Sequence, residues 1–355
     1  MEQALQEFKS RIDAARECKT ALRLRGGGTK DWYGQDLQGE VLDTRAYAGI
    51  VAYDPTELVI TARCGTPLAE VEAALAEHRQ LLAFEPPRFG AESTMGGVVA
   101  AGLSGPRRQA AGAVRDFMLG AVLMDGKGEI LHFGGQVMKN VAGYDVSRLL
   151  AGSLGTLGLI LEVSLKVLPQ PFCETTLRFA LSEAEAIDRL NRWGGQPLPL
   201  SASAWHDGEL IVRLSGAAAA IESALKKMGG EQEHDGAEFW RGLRDHDNRF
   251  FHAGNDARPL WRLSLPPHAP PLGLRGEQLI EWGGAQRWLR TDLDAGAIHE
   301  AAAAAGGHAT LFRGGDKNLG VFQPLAPAVD RIHRNLKAAF DPSRIFNPGR
   351  MYPSL

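Results

Sequence analysis

Four glycine-bearing runs carry most of the chemistry this sequence offers: Arg25-Gly26-Gly27-Gly28-Thr29, Ser93-Thr94-Met95-Gly96-Gly97, Lys139-Asn140-Val141-Ala142-Gly143-Tyr144-Asp145 and Gly152-Ser153-Leu154-Gly155-Thr156-Leu157-Gly158. Glycine reaches positive φ without steric cost and lets a backbone N–H come close to a ligand. Successive N–H groups in such turns form a concavity for an anion. Several of them in one domain suit the pyrophosphate of a dinucleotide held mainly by backbone. Other phosphate-binding patterns do not fit. No G-x-x-x-x-G-K-[ST] run occurs, and neither the first nor the last cluster spells G-x-G-x-x-G. Residues 29–39 are polar and turn-rich, without the apolar helical period that a strand–turn–helix fingerprint requires.

In this order the runs resemble the FAD-binding domain of the vanillyl-alcohol oxidase type (the PCMH fold), over residues 22–34, 86–102 and 115–169. The ending Ala339-Phe340-Asp341-Pro342-Ser343-Arg344-Ile345-Phe346-Asn347-Pro348-Gly349 resembles the C-terminal return of its 2-hydroxy-acid dehydrogenase branch. Within that branch the short chain and residues 135–169 are most similar to the E-type subunit of bacterial glycolate oxidases. The resemblance implies FAD, with Arg25, Gly26, Gly27, Gly28 and Thr29 around the pyrophosphate and Ser93, Thr94, Gly96 and Gly97 opposite. Gly155, Thr156, Gly158 and the backbone of Leu159 and Ile160 would line the adenine or ring side. Lys139, Asn140 and Tyr144 would stand near the isoalloxazine; the bland alternative is a solvated loop. The run from Gly96 to Gly102 also reads as a tightly packed small-residue turn, and both readings want the same amino acids. Covalent members of the superfamily commonly carry a histidine in or beside the first glycine loop. Here Thr29, Lys30 and Asp31 stand there and no histidine precedes His78, so non-covalent FAD is expected.

Taking hydride from a 2-hydroxy acid needs an arginine for the carboxylate and a base or metal for the hydroxyl proton. The run Phe239-Trp240-Arg241-Gly242-Leu243-Arg244 resembles a cap segment whose final arginine grips the substrate carboxylate, which makes Arg244 the catalytic candidate. Alternatively Arg241, Arg244 and Arg249 lie on a solvated helix beside Asp245 and Asp247. Catalytic relatives carry an H-x-G-D-G-N-x-H run late in the cap. This chain has His308-Ala309-Thr310-Leu311-Phe312-Arg313-Gly314-Gly315-Asp316 instead, so no metal site is expected. That departure fits the E-type chain. The family then implies a larger flavoprotein subunit (D-type) and an iron–sulfur subunit (F-type) as partners, with glycolate or D-lactate as substrate. The alternatives are a self-sufficient flavin dehydrogenase using Arg244, and a flavin-bound structural subunit without turnover of its own.

Composition narrows the classes. The 355 residues are enough for two cores, and 44% hydrophobic with 23% charged residues is an ordinary globular balance. A net charge of −3 offers no polyanion-binding signature, so nucleic acid is not expected as a partner. Apolar stretches are broken well short of membrane-spanning length, and the start does not read as a signal peptide. Cys18, Cys64 and Cys173 are scattered, without the spacing of a zinc or iron–sulfur site. A cytoplasmic chain with free thiols is expected, peripheral at the inner membrane at most through its complex.

The elements that must position these residues follow from periodicity. Leu5, Phe8, Ile12 and Ala15 predict a helix over 3–17, and strands are expected at 21–25, 48–53 and 58–63. Pro67 stands at a plausible first helical position, with Leu68, Val71 and Leu75 as a buried stripe. Residues 119–133 read as a hairpin and 159–167 as a strand. Beyond Cys173 the expectation is a strand at 175–180, then a helix opened by the capping box Ser182/Glu185. Hairpins at 202–214 and 278–290, helices at 216–228 and near 301–305, and a strand at 259–265 complete the cap. A last helix, 326–340, leads back towards the flavin. No sequence repeat is visible. The fold class is α+β: a two-part PCMH-type FAD-binding domain (1–170), a smaller antiparallel-sheet cap (171–325) and a C-terminal return segment (326–355).

Overall fold

The computed structural model describes residues 1–135, 145–252 and 256–355. They form two compact units: the first holds Met1–Leu103, Ala113–Pro169 and Pro324–Leu355, the second Ser104–Gly112 and Gln170–Gln323.

In the first unit, helix α1 (Glu2–Cys18) buries Phe8, Ile12 and Ala15 against Leu22, Leu42, Tyr47, Leu161 and Phe346. Strand β1 (Leu22–Arg25) runs parallel to β2 (Glu40–Asp43), a strand the polar sequence around it had hidden. A five-stranded sheet follows, built from β3 (Ile50–Asp54), β4 (Val59–Arg63), β6 (Met118–Met124), β7 (Ile130–Gly134) and β8 (Leu159–Lys166), in the order β3-β4-β8-β6-β7 with every pair antiparallel. The turn joining β6 to β7 is fixed by Asp125, whose Oδ1 accepts from the N–H of Lys127 and of Glu129 at 2.9 Å. Two-residue strands β5 (Gln80–Leu81) and β9 (Leu168–Pro169) pair at the margin.

Helix α2 (Leu68–Glu77) buries Leu68, Val71 and Leu75. Pro67 is its N-cap with an extended ψ of 135°, one position earlier than the sequence suggested. The small-residue run becomes a true helix, α3 (Met95–Ala101), rather than a turn. Its N-cap is Thr94, whose hydroxyl accepts from Gly97 N–H at 3.4 Å, and Gly102 ends it at φ 66°. A Cβ on Gly102 would lie 2.7 Å from the Gly152 backbone, so only glycine lets α3 and the last glycine loop meet there. The remaining long helix of this unit, α11 (Pro327–Phe340), precedes the tail. Single helical turns α5 (Val114–Phe117) and α6 (Val146–Leu149) fill connections.

The second unit is an eight-stranded antiparallel sheet with helices packed on it. Its strands are β10 (Cys173–Ala180), β11 (Leu200–His206), β12 (Glu209–Gly216), β13 (Glu231–Glu233), β14 (Leu260–Ser264), β15 (Glu277–Glu281), β16 (Gln286–Arg290) and β17 (His308–Arg313), in the order β13-β10-β12-β11-β15-β16-β14-β17. In each half the first strand lies between the fourth and the third, with the second outside, so a duplicated topology exists without a sequence repeat. The halves join where β11 pairs with β15. Helix α7 (Glu183–Gly194) starts at the expected capping box: Ser182 Oγ accepts from Glu185 N–H, and Ser182 N–H donates to Glu185 Oε2 at 2.9 Å. With α8 (Ala218–Met228) it covers the first half, burying Leu190, Trp193, Ile221 and Ala224. Helix α10 (Ala295–Ala304) covers the second with Ile298 and Ala302. Helix α9 (Gly236–Asp245) links the halves. The excursion 104–112 carries α4 (Arg108–Ala111) and is anchored within this unit by Arg108 stacked over Trp282 at 4.3 Å and by Trp282 Nε1 donating to Gly105 O.

Candidate functional site

Four segments of the first unit converge on one trough: the loop after β1, the residues leading into α3, the last glycine loop and the C-terminal tail. Two clefts of about 410 and 540 Å³ share Leu24, Arg25, Gly26, Gly97, Ala100, Leu154 and Asn347 in their linings, so they are continuous. The close approach depends on missing side chains. A Cβ on Gly27 would sit 1.6 Å from Glu92 O, one on Gly26 2.2 Å from Thr94 Oγ1, and one on Gly96 2.7 Å from Cys64 Cβ. The last carbonyls of α3 are also used: Val99 O accepts from Gly152 N–H at 3.0 Å and Ala100 O from Leu154 N–H at 2.8 Å. Two glycine loops are thus tied to one short helix.

The trough carries more positive than negative charge, with Arg25, Lys30 and Arg350 against Asp31 along the larger cleft. Asp31 Oδ2 accepts from Arg25 Nε at 2.8 Å and pairs also with Arg23. Lys30 Nζ donates to Ser93 Oγ at 3.0 Å and to Thr29 Oγ1 at 3.4 Å, bridging the first loop to the second. Arg350 donates to the main-chain oxygens of Asp31 (2.9 Å), Lys30 (3.3 Å) and Gln35. Burial lowers its guanidinium to about 10, with Asp31 opposing that shift.

The tail closes the trough. Asn347 Oδ1 accepts from Leu24 N–H at 2.9 Å while its Nδ2 donates to Leu154 O at 2.6 Å, joining β1 to the last glycine loop. Behind it, Lys337 is buried and donates to Thr156 O (2.7 Å), Phe346 O (2.7 Å) and Asp341 Oδ2 (2.8 Å).

Arg25, Gly26, Gly27, Gly28, Thr29, Thr94, Gly96, Gly97, Gly155, Gly158 and Ile160 all line one or both clefts. Ser93 and Thr156 stand one layer behind. Ser93 holds Lys30, and Thr156 donates its hydroxyl to Ser153 O at 2.8 Å. Lys139, Asn140 and Tyr144 lie outside the described residues. Leu24, Lys30, Asp31, Leu37, Thr44, Cys64, Ala100, Ala101, Leu154, Asn347 and Arg350 line the clefts as well, none of them expected there from the sequence. Asn347 sits inside the Phe346-Asn347-Pro348-Gly349 run that carried the resemblance, which was the available signal.

Backbone loops set close together and net positive charge fit a dinucleotide pyrophosphate. No histidine is among the described residues lining either cleft. The Cys64 thiol is buried and pushed up to about 12, with its neighbour Thr44 and backbone N–H groups opposing the shift, so it stays protonated.

Arg244 lies in the second unit, in the last turn of α9. Asp245 grips it in a two-pronged pair, Nε to Oδ1 at 3.0 Å and Nη2 to Oδ2 at 2.7 Å. The next residue, half-buried His246, stacks flat against Phe251 (ring centroids 3.7 Å apart) with Trp288 edge-on. Its imidazole is held well below the ordinary value by burial, and then by Arg313 and Arg262. Among the described residues no three His, Cys, Asp or Glu side chains stand close enough to hold a metal ion.

Residues 3–134 match the family model described as an FAD binding domain. The chain is 48% identical over 350 residues to "Glycolate oxidase subunit GlcE" of Escherichia coli (strain K12), covering 99% of this chain and 98% of that one. Shorter matches are the "D-lactate dehydrogenase" of Archaeoglobus fulgidus (33% over 173 residues, 46% of this chain and 37% of that one) and the "Glycolate oxidase subunit GlcD" of Bacillus subtilis (40% over 85 residues, 24% and 18%). Among solved structures, an alkyldihydroxyacetonephosphate synthase shares the fold, with a TM-score of 0.65 and 16% identity over 97% of this chain and 75% of that one.

Proposed function

The chain belongs to the GlcE family of glycolate oxidase subunits, and we infer that it is an FAD-dependent oxidoreductase subunit that takes part in oxidising 2-hydroxy acids. The observation that supports this best is the trough itself, whose glycine loops, net positive charge and tail fit an FAD held without a covalent bond. Arg25 to Thr29 and the Thr94–Gly97 backbone would hold the pyrophosphate. Gly155, Gly158 and Ile160, with Asn347, would line the rest of the cofactor. Lys139, Asn140 and Tyr144 are assigned to the ring side on resemblance alone.

Bound FAD supplies an acceptor for two electrons that can be passed on one at a time. The residues of this chain bind and orient it: α3 and the last glycine loop fix the walls, and Asn347 closes them. The substrate is glycolate or D-lactate. The partners of this reading are a larger D-type flavoprotein subunit and an iron–sulfur F-type subunit that receives the electrons. No described helix is long and apolar enough to cross a membrane. The chain is accordingly proposed to act in the cytoplasm, meeting the inner membrane only through its complex. Arg244 is the proposed anchor for the substrate carboxylate, sharing its charge with Asp245.

The test is an anaerobic visible spectrum of the chain, alone and with its co-purified subunits, before and after glycolate is added. A flavin that stays oxidised alone and bleaches in the complex supports the relay role. Bleaching of the isolated chain would favour a self-sufficient dehydrogenase. A flavin that bleaches in neither state would leave a structural role.

A further inference from the structure

We propose that residues 104–112 act as a strap through which the second unit holds helix α3 where it lines the trough, so that attachment of the strap and cofactor binding support each other; the cofactor half rests on the FAD reading above. The chain leaves the first unit at Leu103 and returns to it at Ala113, both 5% exposed, and the residues between belong to the second. Their anchors all lie in that second unit. Trp282 Nε1 donates to Gly105 O at 3.1 Å, and the Arg108 guanidinium stacks over the same indole. Arg107 pairs with Glu174. Gln109 Oε1 accepts from Ser203 Oγ at 3.1 Å, and that hydroxyl accepts from Gly283 N–H at 2.9 Å. The turn that presents the indole is strained. Trp282, Gly283 and Gly284 take φ of 53°, 66° and 103°, a left-handed run that is costly for a tryptophan. A Cβ on Gly283 would stand 2.3 Å from Gln109 Nε2, so glycine there lets the strap lie against the turn. Strain of this kind persists only where the surroundings fix it.

What the strap holds is the end of α3. That helix has 7 residues, too few to be stable on its own, and its Gly97, Ala100 and Ala101 line the clefts. Its cap Gly102 and the buried Leu103 run straight into the strap. The same end ties down the last glycine loop, because Val99 O and Ala100 O accept from the N–H groups of Gly152 and Leu154. On the return side Ala113 N–H donates to Asp116 Oδ2 at 2.8 Å, opening α5, which leads directly into β6. Release of the strap therefore frees one wall of the trough. A ligand that needs this wall in place opposes the release, and the two effects are equal by thermodynamic linkage.

The experiment is hydrogen–deuterium exchange of the full-length chain, flavin-free and saturated with FAD, as wild type, Trp282→Phe and Arg108→Met. Trp282→Phe keeps a ring beneath Arg108 and removes the bond to Gly105 O; Arg108→Met keeps much of the stem and removes the cation. Neither Trp282 nor Arg108 is among the described residues lining either cleft. Without FAD, each variant should speed exchange in 104–112 and in 95–103 by a common factor, about fivefold, while α10 keeps its wild-type rate as the sign that the second unit stays folded. In the wild type, saturating FAD should slow exchange in both segments by about tenfold or more. Faster exchange in 104–112 with 95–103 unchanged would overturn the proposal, since the strap would then move without α3. Equal acceleration in α10 would also overturn it, because that marks general unfolding. Exchange in 104–112 that ignores bound FAD would overturn the link to the cofactor. A chain that takes up no FAD, yet whose α3 still follows the strap, would overturn the FAD reading and support the strap's hold on α3.

Discussion

Lys337 and Asp341 form an ion pair at 2.8 Å with side chains 1% and 0% exposed, inside the first unit. The lysine also holds the carbonyls of Thr156 and Phe346, and the aspartate accepts from the N–H groups of Ile345 (3.1 Å) and Phe346 (2.8 Å). One buried pair therefore fixes the last glycine loop and the start of the tail together. Burial lowers the lysine's pKa while Asp341 opposes that shift.

Removing one partner of such a pair leaves the other charge buried and uncompensated. Lys337→Met should cost roughly 3–5 kcal/mol in urea unfolding. A loss below about 1 kcal/mol would mean that the tail does not depend on the pair.

Asn347 makes the next contact along the tail, and its amide uses both ends. Asn347→Ala removes the bonds to Leu24 N–H and Leu154 O, and should cost about 1–3 kcal/mol of stability. Because the side chain also lines the trough, FAD affinity should fall by roughly tenfold, as read by flavin titration at equal folded fraction. Stability loss without affinity loss would place the tail outside the cofactor site.

The tail also shows what the sequence made legible. Its motif was readable because Asp341, Ile345, Phe346 and Asn347 act at fixed spacing within a few residues. The glycine loops were readable because close backbone contact demands glycine, as the 1.6 Å clash at Gly27 shows. Helix α2 and the Ser182/Glu185 cap followed from local period and local hydrogen bonds. Long-range partnerships were not readable. Nothing near Lys337 in sequence points to Thr156, and nothing near Asn347 points to Leu24 or Leu154. Helix α3 was hidden because its glycines and alanines serve packing as well as turns, and Thr94 caps it only through Gly97 N–H. The duplicated strand order of the second unit left no repeat in the sequence, since topology constrains burial pattern more than residue identity.

Acid should destabilise the second unit through His246. Its folded imidazole stays neutral because of burial, and then Arg313 and Arg262, whereas an unfolded imidazole takes up a proton below its ordinary value of 6.5. The unfolded chain then binds more protons. The contribution is thus fully present above pH 6.5 and is lost as pH falls, at about 1.4 kcal/mol per pH unit for one such group. His299 and His308 are shifted in the same direction by burial. His246→Phe should flatten the slope of unfolding free energy against pH by about one proton between pH 6.5 and 5. An unchanged slope would show that His246 is not the group responsible.

Arg244 carries the substrate-side expectation. In the intact complex, Arg244→Ala should raise KM for glycolate by about tenfold or more, with a smaller effect on kcat. Arg244→Lys should recover only part of it, because an ammonium lacks the two-pronged geometry. A KM within roughly twofold of wild type would reduce Arg244 to a structural partner of Asp245.

The function proposed for this chain depends on a non-covalent FAD in the trough of the first unit. The most direct measurement is the visible spectrum of the purified chain, followed by acid precipitation and identification of the released flavin. A yellow chain that gives up FAD to the supernatant and leaves a colourless pellet is expected. A pellet that keeps the flavin, or a folded chain that binds none when FAD is supplied, would contradict it.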